Sequence, residues 1–127
     1  MSGKVVHFEI PVDDSERASA FYSGAFGWKL NSMPDMGYTL VSTGPATDSG
    51  TPAEPGHING GIMARQGPWQ HPIITIEVDD MASALGTVAE HGGSQVGETH
   101  DVGGMGMAAY FEDTEGNLIG LWQSLPG

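Results

Sequence analysis

The chain has 127 residues, no cysteine, and 4 basic against 16 acidic side chains, for a net charge of −12. That length suits one domain, 1–127, or a pair of small modules sharing a genuine core. Lys4, Arg17, Lys29 and Arg65 stand singly, which argues against nucleic acid and anionic membrane as partners, and the lack of cysteine removes disulfide and thiolate chemistry.

No run of about 18 apolar residues is present, so no membrane span is expected. The chain opens directly on a strand pattern without a basic-plus-apolar leader, and a cytoplasmic location is expected. The acidity favours neutral or cationic ligands through long-range steering, and it also serves as a solubilising surface.

Lys4 to Val12 alternates, with Val6, Phe8, Ile10 and Val12 on one face and His7 and Glu9 on the other. Asp13 or Asp14 then N-caps a helix, and Asp13 with Glu16 resembles a capping box. Ala18, Phe21, Tyr22, Ala25 and Phe26 form the predicted inner stripe of that helix, and Gly27 suits its left-handed end. Short strands are expected near Trp28 to Met33 and Tyr38 to Thr43. Gly44 to Gly56 is rich in Gly, Pro, Ser and Thr and reads as a long loop, a candidate flap. A strand near Ile58 to Ala64 closes a first module of about 1–65, and Gln66 to Pro72 is a linker.

The second module, about 71–125, repeats this order. Ile74, Ile76 and Val78 are expected to face the core, with Ile73, Thr75 and Glu77 opposite. Asp79 or Asp80 caps a helix with Met81, Ala84, Leu85, Val88 and Ala89 inward, ended by Gly92-Gly93. A strand near Ser94 to His100 and a hairpin around Asp113-Thr114-Glu115-Gly116 finish the chain. Val12-Asp13-Asp14 therefore recurs as Val78-Asp79-Asp80, and a period this long points to duplicated modules. The expectation is an α+β fold: two βαβββ modules forming a cup-shaped eight-stranded mixed sheet with helices on its outer face. His7, Glu9, Thr75, Tyr110 and Trp122 fall on the opposite, partly polar face, as candidate binding residues of a concave site between the modules.

His7 with Val12-Asp13-Asp14, the Phe21-Tyr22 plus Phe26-Gly27-Trp28 run, and the terminal FEDTEGNLIGLWQ resemble the glyoxalase, bleomycin-resistance and extradiol-dioxygenase (vicinal oxygen chelate) superfamily. The last run is similar to that family's Asp-Pro-(Asp/Glu)-Gly-Asn turn, with Thr114 in place of proline. The resemblance implies metal ligands on the first and last strand of each module. The matching positions here are His7, Gly61 or its neighbours, Ile73 and Gly120, of which only His7 ligates. A catalytic metal needs about three protein ligands. No cofactor is therefore expected. The alternative is a divalent Zn, Ni, Mn or Fe ion held by His7 with displaced carboxylates such as Glu9 or Glu77, or by His57 or His71.

Each candidate also has a plainer role. His7 lines the pocket and hydrogen-bonds. Glu9 is a general base or a solvated rim carboxylate. Trp122 and Tyr110 stack on a flat ligand or form a pocket floor. Phe8, Phe21, Phe26 and Trp28 are structural. The expected function is metal-independent binding of a small organic ligand, with a metal-dependent lyase, isomerase or dioxygenase as the alternative. Catalytic residues are not assigned, and homodimerisation is implied by analogy.

Overall fold

The computed structural model describes residues 2–47 and 51–125, including eight strands and two α-helices. The α+β class and the eight mixed strands are as the sequence predicts. Two compact units are present: His7–Pro72, and Ile73 onward together with the chain's first residues up to Val6.

In the His7–Pro72 unit, β1 (Val5–Val12), β2 (Lys29–Met33), β3 (Tyr38–Ser42) and β4 (Asn59–Ala64) lie in the order β2-β3-β4-β1. β1 and β4 run parallel, with Glu9 opposite Gly61; the other pairs are antiparallel. Helix α1 spans Ser15–Phe26. Its cap is Asp14, whose carboxylate accepts from Arg17 N at 3.0 Å. Asp13 instead forms an ion pair with Arg65 at 2.8 Å, so the Asp13–Glu16 capping box does not form. Gly27 ends the helix at φ 73°, donating its N–H to Ser23 O, as expected of a left-handed cap.

The stripe predicted for α1 is not buried. None of its residues is, and Phe21 and Phe26 are 57% and 65% exposed. Tyr22 stacks on Trp28 with centroids 4.8 Å apart, and Trp28 in turn meets Phe8. That single aromatic column satisfies the helical period while leaving its outer members uncovered. The buried hydrophobic residues of this unit are Val41 and Ile62, and the polar Glu9, Thr39 and Asn59 are buried as well. In the 44–56 loop, Thr47 N bonds Thr51 O; residues 48–50 of the expected flap lie outside the described residues.

In the other unit, β5 (Ile73–Glu77), β6 (Ser94–Val102), β7 (Gly106–Glu112) and β8 (Leu118–Ser124) are ordered β5-β8-β7-β6, with β5 and β8 parallel. Gly3 N donates to Glu77 O and Glu77 N to Lys4 O, extending this sheet. Helix α2 (Met81–Glu90) is capped by Asp80, which accepts from Ser83 N at 2.9 Å. Met81 and Ala84 pack with Val78, Ala109 and Leu121 into a core supported by Ile76, Leu85, Met107 and Phe111. Full burial of a side chain such as Met81 contributes about 1.5–3 kcal/mol. Ala89 is exposed.

The predicted facing of β5 holds for Ile76 and Val78, which pack in this core, but burial differs at the start of the strand, where Ile73 is 2% exposed and Ile74 46%. The helix packs on β6, β7 and β8, and its cover does not reach Ile74 at the start of β5. The final turn is held by Asp113, whose Oδ1 accepts from Asn117 N (2.9 Å) and Glu115 N (2.8 Å). The Asn117 backbone bond, with smaller help from that of Glu115 and from the Asn117 side chain, lowers the Asp113 pKa against an opposing desolvation.

Candidate functional site

Period-two geometry places His7 and Glu9 on the same face of β1. The β1–β4–β3 register brings Gly61 and Leu40 level with Glu9, and Tyr38 one step further along the same face. The Tyr38 ring crosses Gly61 to reach β1. Its hydroxyl donates to Glu9 Oε2 at 2.9 Å and lies 2.9 Å from His7 Nε2. A Cβ at residue 61 would overlap the Tyr38 hydroxyl and ring, so only glycine leaves room for this crossing.

Glu9 is 7% exposed, which rules out the solvated-rim role. His7 is half-buried, and desolvation lowers its pKa from the ordinary 6.5, so the ring is neutral at pH 7. Asn59, opposite His7, is buried and its Oδ1 accepts from Thr43 N at 3.0 Å.

Tyr38 escaped the sequence reading. The usable signal was a glycine inside a strand, which marks close approach by another group, but the strand order that supplies the group is invisible in the sequence. His57, considered a group that reaches into the site, instead packs over Gly44. Its Nδ1 is 3.3 Å from Thr43 Oγ1, which donates to Ile58 O at 2.6 Å. His71, His91 and His100 are exposed.

The three remaining predicted residues lie in the second unit. Thr75 is buried and faces Gly120 in register, with Tyr110 on the other side of the same glycine. A Cβ at Gly120 would stand 2.8 Å from Thr75 Oγ1 and 3.5 Å from Tyr110 Cε1. Trp122 shares this face, is half-buried, lies against Gly106 and donates Nε1–H to Ser124 Oγ at 2.9 Å. Glu77 accepts from Ser2 Oγ at 2.7 Å.

A resident divalent ion in the superfamily's arrangement does not fit these residues. Gly61 is covered by the Tyr38 phenol, Ile73 is a buried hydrocarbon, and Gly120 is pressed by Thr75. Among the described residues no three His, Cys, Asp or Glu side chains converge to hold a metal. No helix among them is long and apolar enough to cross a membrane.

The family described as bleomycin resistance protein-like N-terminal matches residues 4–44. A glyoxylase-like domain-containing protein of Didymella fabae is 34% identical over 122 residues, covering 92% of this chain and 91% of that protein. The lactoylglutathione lyase of Salmonella typhimurium is 27% identical, covering 93% of this chain and 90% of the lyase. A glyoxalase/bleomycin resistance protein/dioxygenase superfamily member from Vibrio splendidus shares the fold at TM-score 0.61 and 15% identity, covering 97% of this chain and 99% of that one. The chain belongs to this glyoxalase, bleomycin-resistance and dioxygenase superfamily.

Proposed function

We propose that the protein binds a small organic molecule on the face that carries His7, Glu9 and Tyr38, without a resident metal. The carrying observation is the Tyr38 hydroxyl, which sits over Gly61 and joins the imidazole to the carboxylate. Both polar side chains thereby have a partner that is not an ion. Thr75, Tyr110 and Trp122, which share a face of their own unit, are proposed as ligand contacts there, Trp122 through its flat indole.

The chain's net charge of −12 favours neutral or cationic ligands over anions. Pairing of two copies is part of this reading, and the uncovered Phe21 and Phe26 support it. A cytoplasmic setting fits the absence of cysteine.

A second reading is a divalent-metal lyase or isomerase, favoured by the 27% identity to a lactoylglutathione lyase. One experiment separates the two. The purified chain is assayed by elemental analysis, then by thermal shift with Zn, Ni, Mn and Fe(II) and with a panel of flat neutral, cationic and anionic compounds. The first reading expects stabilisation by organic compounds, lost in His7→Ala, and no stoichiometric metal. One firmly held transition-metal ion per chain, lost in His7→Ala, overturns it.

A further inference from the structure

We propose that Tyr38 and Glu9 lock His7 into one tautomer, with hydrogen on Nε2 and a bare lone pair on Nδ1, and that this lone pair selects ligands presenting a hydroxyl or ammonium donor. The inference rests on the ligand-binding reading above and deepens it by naming the ligand's chemistry.

The hydrogen count fixes the tautomer. A phenol has one hydrogen to donate and an oxygen that also accepts. Tyr38 gives its hydrogen to Glu9 Oε2, so its oxygen is left to accept at 2.9 Å from His7 Nε2. A neutral imidazole carries one N–H, and with that hydrogen on Nε2 the other nitrogen is an acceptor. Nδ1 has no hydrogen-bond partner among the described residues. Neither is it sealed from solvent: the buried, unpartnered side-chain nitrogen or oxygen found among those residues is His57 Nε2, not an atom of His7.

The lone pair of Nδ1 is thus presented in a fixed direction by a ring held from behind. A ligand carboxylate or ether there would set lone pair against lone pair. A hydroxyl or ammonium completes the chain donor → His7 → Tyr38 → Glu9. Tyr38 is a positioning residue in this scheme, acting through His7.

The test uses the full chain, uniformly 15N-labelled, at neutral pH. Long-range 1H–15N spectra report the tautomer of His7, assigned by its loss in His7→Gln. The Nε2–H form is expected, and an Nδ1–H form overturns the inference. In Tyr38→Phe, with the fold verified by circular dichroism, the ring should relax to a mixture of tautomers; an unchanged single tautomer also overturns it. Glu9→Gln is the second route. Its amide can donate to Tyr38, which turns the phenol hydrogen towards His7 and moves the imidazole hydrogen to Nδ1.

Phenol and anisole are then titrated as a matched pair. Phenol should bind about tenfold more tightly than anisole, the scale of one hydrogen bond, and should shift His7 Nδ1. That advantage should vanish in Tyr38→Phe. Anisole binding as well as or better than phenol overturns the selection. If neither compound perturbs any resonance at millimolar concentration, the ligand-binding reading fails, while the tautomer spectra still decide the lock.

Discussion

The two halves of this chain follow the same βαβββ plan and use it differently. In the second, α2 seals Met81 and Ala84 against Leu121 and Ala109. In the first, α1 buries none of its residues and touches the unit through the Tyr22–Trp28 stack. The last strand of each carries a glycine where metal-dependent relatives are expected to ligate, and each glycine is crowded by a hydroxyl. Over Gly61 it is the long phenol of Tyr38, reaching from a neighbouring strand to two polar side chains. Beside Gly120 it is the short Thr75, which stays on its own strand. The difference teaches that a duplicated scaffold can carry glycine at the same strand position twice and build a polar network at only one of them.

The helices offer the strongest way to break the comparison. Met81→Ala should cost about 2–5 kcal/mol in urea unfolding, because it opens a cavity in a closed core. Phe21→Ser should stay within about 0.5 kcal/mol for the monomer. A comparable loss at both sites would mean that α1 is buried in solution, and light scattering would show whether a second copy covers it.

The glycines come next. Gly61→Ala should cost about 1–3 kcal/mol by forcing the Tyr38 ring off both hydrogen bonds. Gly120→Ala displaces one Thr75 hydroxyl and should cost less, and the order of the two midpoints checks the geometry. Tyr38→Phe is expected to lose about 1–2 kcal/mol, since Glu9 loses a donor at 7% exposure. Combined with Gly61→Ala, its effect should be less than additive, as in any double-mutant cycle on one contact.

The smallest effect is the pH dependence that His7 contributes in the first half. Burial depresses the His7 pKa in the folded chain below its unfolded value of 6.5, so the unfolded state binds more protons in that window. Stability is then retained above 6.5 and falls as pH drops from 6.5 towards the folded value. Thermal midpoints across this range should show the decline, and His7→Gln should flatten it.

Much of the architecture was readable in advance, for physical reasons. Alternation fixed the strands, Asp14 and Asp80 fell where an N-cap must lie, and Gly27 fell where the backbone turns left-handed. Facing was less legible. Period two separates Ile73 from Ile74 but does not say how far along the strand a helix covers its face, and the stripe of α1 was real without being buried. His7 and Glu9 were found as neighbours on a polar face. Their connector was not, because Tyr38 reaches them only through the order β3-β4-β1, which no local pattern encodes.

The ring lying across Gly61 also constrains the chain's evolutionary future. A carboxylate cannot occupy that strand position while the phenol remains, and removing the phenol alone leaves a buried acid and an imidazole without their bridge. Either single step is unfavourable, so placing a carboxylate there demands two concerted changes. The crossing therefore acts as an epistatic ratchet.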